Sequence, residues 1–175
     1  MSLTKHETIF GDAFVIKPDV YEDDRGFFKE TYSEKKYHDI GITDGFVQDS
    51  VSFSSKNVIR GLHGDPQMSK LVQCLRGRIF DVLVDARKNS PTYRRWQAFY
   101  LSEHNHLQIY VPAGFAHGFL ALTDDVVFSY KHGALHDPQR EFSIRWNDPS
   151  IGVDWPVYGE PHLSRRDANA PLLED

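Results

Sequence analysis

Short runs rich in Val, Ile, Phe and Tyr recur along this chain, and turn residues cut them at short intervals. Many of the runs alternate apolar with polar side chains, the period of a strand that turns successive residues to opposite faces. Glycine or proline supplies the breaks at Asp23-Asp24-Arg25-Gly26, Arg76-Gly77-Arg78, Lys88-Asn89-Ser90-Pro91 and Pro112-Ala113-Gly114. The pattern predicts strands near 12–16, 27–32, 46–53, 57–63, 69–75, 78–85, 94–101, 107–111, 117–122, 126–132 and 141–146. That many short strands with little room for helix is the signature of an all-β sandwich or barrel.

A few short helices are expected, the clearest running from Glu34 to Ile40, with Ser33 as N-cap and Gly41 just past its end. Alternation also assigns faces. In Arg78 to Asp85 the set Phe80, Val82 and Val84 reads as core, with Ile79, Asp81, Leu83 and Asp85 on the other side. Lys70 is in phase with Val72 and Cys74, and His117 with Phe115 and Phe119, so both side chains are expected to face the interior. From Asp154 onward the chain is rich in Pro, Gly and charge and reads as irregular structure able to pack over a barrel mouth.

Composition narrows this picture. A length of 175 residues without repeat or linker suits one domain, 1–175. The net charge of −5, with scattered Lys and Arg, argues against a nucleic-acid partner, so an anionic ligand must be gripped by a few placed arginines. Cys74 is the only cysteine, which excludes an internal disulfide and suits a reducing compartment. The first ten residues carry charges where a signal peptide needs an apolar core, and no run approaches a membrane span. A soluble cytoplasmic protein is expected.

Candidate chemistry centres on Arg60-Gly61-Leu62-His63-Gly64-Asp65. A histidine near its ordinary pKa can take a proton at neutral pH, and an arginine beside it can grip a phosphate bidentately. An acidic partner would fix the imidazole tautomer, and Asp81, Asp85 and Asp167 are the candidates. A two-histidine metal site from His63 and His117, completed by Asp65, is the competing use of the same residues. Arg25 offers a second cation for a diphosphate, and Glu30 an acceptor for sugar or base.

Pro112-x-Gly114-x-x-His117 resembles the second cupin motif. Further stretches add Asp23-Asp24-Arg25-Gly26-Phe27-Phe28, Arg60-Gly61-Leu62-His63, Lys70-Leu71-Val72, Asp81-Val82-Leu83-Val84-Asp85-Ala86-Arg87 and Ser90-Pro91-Thr92. Trp146-Asn147-Asp148-Pro149, Asp154-Trp155-Pro156 and Leu163-Ser164-x-x-Asp167 complete the series. In this order they resemble the dTDP-4-dehydrorhamnose 3,5-epimerase family. The resemblance implies a cupin-like jelly-roll barrel that epimerises a nucleotide-diphosphate 4-keto-6-deoxy sugar in deoxysugar and polysaccharide assembly, as a homodimer, with no metal or redox cofactor. By the same resemblance His63 matches the catalytic base, Asp167 its acidic partner and Lys70 the lysine on the enolate oxygen. Arg25, Glu30, Gln48, Ser50, Arg60 and His117 match ligand-binding positions.

Two departures stand out. After His63 the family has an aromatic residue, a glutamine and a longer link to the lysine. Here Gly64-Asp65-Pro66 follows, which reshapes the sugar pocket and adds Asp65 to its wall. The family's proton-donating tyrosine is expected just before Asp137-Pro138, where this chain has Leu135-His136. The chain therefore reads as a variant without that tyrosine, with His136 or solvent as the second proton carrier and inversion at carbon 3, with or without carbon 5. A 3,4-ketoisomerase on the same barrel, a noncatalytic sugar-nucleotide binding module and a metal-dependent cupin oxygenase are the rival readings.

Overall fold

The computed structural model describes residues 2–174. Six segments, β1 (Leu3–Glu7), β2 (Phe14–Pro18), β5 (Gln48–Ser54), β7 (Lys70–Arg76), β10 (Gln108–Val111) and β12 (Val126–His132), pair in the order β1-β2-β10-β7-β12-β5. A second sheet of five, β6 (Ile59–Gly64), β8 (Arg78–Asp85), β9 (Trp96–Ser102), β11 (Phe115–Ala121) and β13 (Phe142–Ser143), has the order β13-β6-β11-β8-β9. All pairings within both sheets are antiparallel. Strands β3 (Val20–Asp23) and β4 (Gly26–Lys29) form a separate hairpin, and the helices are α1 (Glu34–Asp39) and α2 (Arg165–Ala168). The two sheets enclose one apolar layer, the arrangement of a cupin-like jelly roll.

Each expected strand has a counterpart among β2 and β4 to β13. The pattern missed β1 and β3, whose sequences Leu-Thr-Lys-His-Glu and Val-Tyr-Glu-Asp carry too few apolar residues to register. Both lie where one strand edge meets solvent, so pairing rather than burial defines them. Helix α1 forms as expected and ends at Gly41, whose φ of 93° is one that residues with a Cβ resist. Ser33 precedes it without a side-chain cap bond. Helix α2 was not legible; the Ser164 hydroxyl caps it by accepting the Asp167 N–H.

The assignment of faces in β8 is corrected. Ile79 and Leu83 lie in the layer between the sheets with Val72, Phe119 and Phe128, and Asp81 shares their face. Phe80, Val82 and Val84 face the other way, under Ile144, Ile151 and Trp155 from the C-terminal segment. Alternation could not choose, because both faces are buried. The polar Asp81 is tolerated inside because His117 pairs with it.

Two glycines allow close approach. A Cβ on Gly61 would stand 2.6 Å from the Gly118 Cα, so β6 and β11 can meet this tightly only without side chains there. A Cβ on Gly64 would stand 2.1 Å from the Phe142 ring, which fills the space beside the residue that follows His63. Outside the six-stranded sheet, Tyr37 and Ile42 pack on Phe14, Ile16 and Leu71. Full burial of such side chains contributes about 1.5–3 kcal/mol each.

The C-terminal segment crosses the outer face of the five-stranded sheet. Trp155 packs edge-on to Phe80, with ring centroids 5.8 Å apart. Further along, Arg145 Nε donates to the Ala170 carbonyl at 3.1 Å and the Leu173 N–H donates to Asp148 at 2.6 Å. These clamps fix the stretch that carries α2. Among the described residues no helix is long and apolar enough to cross a membrane.

Candidate active site

A cavity of about 390 Å³ opens at one end of the space between the sheets. Gln48, Ser50 and Ser52 of β5, Lys70 of β7, and Tyr130 and His132 of β12 line one wall; Arg60 and His63 of β6 line the other. Loops add His136, Glu141 and Ser164, and helix α2 adds Arg166 and Asp167. Strand alternation explains the first wall: Gln48, Ser50 and Ser52 point in while Asp49, Val51 and Phe53 point out.

His63 Nε2 lies 2.6 Å from an Asp167 oxygen, a contact between residues 104 positions apart. Burial works to raise the Asp167 pKa, but the hydrogen bond and charge of His63, helped by Ser164, hold it below the usual carboxylate value. An ionised carboxylate only accepts, so Nε2 carries the hydrogen and Nδ1 is the basic nitrogen. Lys70 Nζ donates to the His63 carbonyl at 3.5 Å. Burial lowers the Lys70 pKa, while Glu141, Asp65 and Asp81 pull it back up. Across the cavity the Tyr130 hydroxyl is 3.2 Å from Ser52 Oγ. Burial pushes its pKa up to about 12, so at neutral pH it is a fully protonated phenol.

Several residues expected at the site are brought together there. Arg60 donates from Nε to Ser54 Oγ and from Nη2 to the Phe53 carbonyl, which fixes its guanidinium at the cavity. Gln48 Oε1 accepts the His136 N–H at 3.1 Å, and Ser50 lies on the same strand face. Others are placed elsewhere. Arg25 is exposed on the β3–β4 hairpin and pairs with Asp23, and Glu30 pairs with Lys36; neither lines the cavity of its own chain. Asp65 is buried, accepting the Gln67 N–H and facing Arg140 Nε at 3.4 Å, because it braces the short loop before Lys70. His117 lies beneath the cavity, its Nε2 2.8 Å from Asp81, with both side chains sealed. With His63, His117 and Asp65 each committed in this way, the two-histidine metal site is not assembled, and the described residues contain no cluster of three or more such ligands.

Sequence reasoning missed Tyr130, Ser52, His132, Glu141 and Arg166. No phenol stands at Leu135-His136, but one lines the cavity from β12, where Tyr130 is in phase with core Phe128. That phase was available in the sequence, but it reads as core until the opposite wall is known.

A histidine–carboxylate pair, a desolvated ammonium and a protonated phenol around one cavity of a jelly roll define a cupin-like acid–base enzyme. Residues 7–175 match the family model for dTDP-4-dehydrorhamnose 3,5-epimerase. The enzyme of that name from Salmonella typhimurium is 45% identical over 172 residues, covering 96% of this chain and 94% of the relative. The Legionella pneumophila 3,5-epimerase, solved in complex with dTDP-4-keto-L-rhamnose, superposes with a TM-score of 0.95 at 44% identity over 98% of this chain and 93% of that one. ChmJ of Streptomyces bikiniensis, a 3'-monoepimerase solved with dTDP-quinovose, gives 0.91 at 33% identity over 96% and 87%. The chain belongs to the dTDP-4-dehydrorhamnose 3,5-epimerase family of isomerases.

Proposed function

We propose that the protein epimerises a dTDP-linked 4-keto-6-deoxy sugar by proton abstraction and reprotonation beside the ketone. The 2.6 Å His63–Asp167 contact, made at the cavity that Lys70 and Tyr130 also line, carries this reading. His63 Nδ1 takes the proton from carbon 3. The electron pair of that C–H bond becomes the carbon 3–carbon 4 double bond, and the ketone oxygen gains the negative charge beside Lys70. Tyr130, on the opposite wall, gives its proton to the other face of carbon 3. The proton on His63 returns to the phenolate through solvent before the next turnover. A positioned base accounts for about 10²–10⁴-fold, and a fixed cation at the oxyanion adds a separate electrostatic gain.

Arg60 and Arg166 at the cavity supply the cations for the diphosphate, with Gln48 and Ser50 as polar contacts. The functional unit is a homodimer. Val51 and Phe53, 66% and 57% exposed on the outer face of edge strand β5, and Phe27 and Phe28 on the hairpin are the apolar residues a second copy would cover. Arg25 then serves the cavity of the neighbouring copy, since it does not line its own. Phe53→Asp should convert a dimer to monomer in sedimentation; a wild-type monomer would dismiss this arrangement. A cytoplasmic location accords with the single, free Cys74.

The reaction is tested in deuterium oxide with dTDP-, GDP- and CDP-linked 4-keto-6-deoxy sugars. Deuterium at carbon 3 of the dTDP sugar, with inversion there, is expected; label at carbon 5 as well identifies the double reaction. Absence of exchange with all three sugars would overturn the proposal.

A further inference from the structure

His132 takes no part in the chemistry above, yet it sits between two residues that line the cavity with it. It ends β12 directly opposite Lys70 of β7 on one side and Gln48 of β5 on the other. Opposed side chains on antiparallel strands share a face, with Cβ atoms about 4.5–5.5 Å apart. The His132 ring lies nearly parallel to that of Tyr130, at 14° and 5.9 Å between centroids. Its Nδ1 is 3.1 Å from Met68 Sδ. A thioether has no proton to give, so Nδ1 carries the hydrogen and Nε2 is a bare acceptor. That Nε2 is buried and has no hydrogen-bond partner among the described residues. A buried polar atom left unpaired is costly, and folded proteins keep few of them.

Lys70 has the opposite imbalance. Its ammonium carries three donors, and the hydrogen bond it makes, to the His63 carbonyl, is 3.5 Å long. We infer that His132 is a positioning residue for Lys70: in the working site its Nε2 accepts one ammonium N–H and holds the charge where the ketone oxygen becomes an oxyanion. A rotamer change in lysine suffices, because the two residues already face each other across one strand pair. The inference rests on the reading of Lys70 as the oxyanion stabiliser.

The surrounding charges agree with a neutral acceptor. Around Lys70 stand Glu141, Asp65 and Asp81. Around His132 stand Lys70, His136, Asp49 and His117. Burial, then the positive charges of Lys70 and His136, push the His132 pKa down to about 4. The imidazole therefore stays uncharged at neutral pH and keeps its lone pair available.

The test begins without substrate. In enzyme carrying ¹³C at the lysine ε-carbons, Lys70 is titrated by NMR in the wild type, His132→Phe and His132→Gln. The phenyl ring keeps the stack on Tyr130 but accepts nothing, so the Lys70 pKa should fall; the glutamine carbonyl reaches the Nε2 position and should restore it. With substrate, His132→Phe should lose about tenfold in kcat with KM little changed, and the basic limb of its pH profile should move to lower pH. His132→Gln should recover most of the rate. An identical Lys70 titration in wild type and His132→Phe, or no recovery with glutamine, overturns the inference. The titration judges His132 even if no 4-keto sugar exchanges, whereas deuterium incorporation by the wild type judges the reaction.

Discussion

Two histidine–aspartate pairs stand side by side in this protein, one open to the cavity and one sealed beneath it. His63 and His117 are directly opposed on β6 and β11, and their Nε2 atoms lie 2.6 and 2.8 Å from Asp167 and Asp81. The His63 side chain is 26% exposed at the cavity, whereas His117 and Asp81 are 3% and 0% exposed. His63 thus offers a nitrogen to a ligand, while His117 stacks on Phe128 beneath the floor. Asp81 keeps one oxygen without a hydrogen-bond partner among the described residues, and its charge raises the pKa of both Lys70 and Tyr130. The open pair is accessible from the cavity. Burial remains the main influence on both groups, lowering the Lys70 pKa and raising that of Tyr130, and the sealed Asp81 adds a smaller upward pull on each. Access, rather than residue type, separates the two pairs.

Breaking the open pair should have the largest effect. His63→Ala should lower kcat by about 10²–10⁴-fold and abolish deuterium incorporation, measured by steady-state assay and NMR. Full activity in this variant would remove His63 as the base. Tyr130→Phe should divide the reaction: exchange at carbon 3 through His63 continues, while the inverted product falls by about 10²-fold in chiral analysis. Equal loss of both would place the phenol on the same face as the base.

Breaking the sealed pair should act on stability first. His117→Ala leaves Asp81 buried and alone, at a cost of about 3–5 kcal/mol in urea denaturation. The kcat per folded molecule should fall far less than in His63→Ala, and a reversed order would erase the distinction between the pairs.

Asp85, four residues along β8 from Asp81, sharpens the comparison because its carboxylate is fully satisfied. Burial works to raise its pKa, but Arg87, Ser90 and Thr92 together lower it to about 2. A carboxyl with a depressed folded pKa stabilises the fold above its unfolded value, and that stability is lost as pH falls through the folded one. About 2 kcal/mol should therefore disappear between pH 4 and pH 2, and Asp85→Asn should flatten that slope in urea midpoints. The smallest effect belongs to His136→Phe, which should leave kcat unchanged because its backbone N–H, not its ring, bonds Gln48.

The sequence was most legible where a local rule applies. Period-two runs located every strand of the five-stranded sheet and all but β1 of the six-stranded one, since a half-buried strand must alternate. Gly41 marked the end of α1 because its φ is one that residues with a Cβ resist. The phases of Lys70 and His117 correctly turned both side chains inward. Motif resemblance singled out His63, Lys70 and Asp167, and all three line one cavity. Where both faces of a strand are buried, as in β8, alternation lost its meaning and the wrong set was read as core.

Taken alone, then, the chain determined its strands, its family and the chemical types at its site, because these depend on neighbours in sequence and on ordered motifs. The tertiary structure decided which of those residues meet. It brought Asp167 across 104 positions to His63 through the clamps of Arg145 and Asp148, and set Tyr130 on the wall facing His63. It also buried Asp65 and His117 and left Arg25 on a hairpin away from its own cavity. Pairing between distant strands and the docking of a tail are set by packing of the whole chain, so no local pattern records them. The stretch that follows His63 shows the boundary well: its sequence announced Gly64, and only the fold showed the Phe142 ring that requires it.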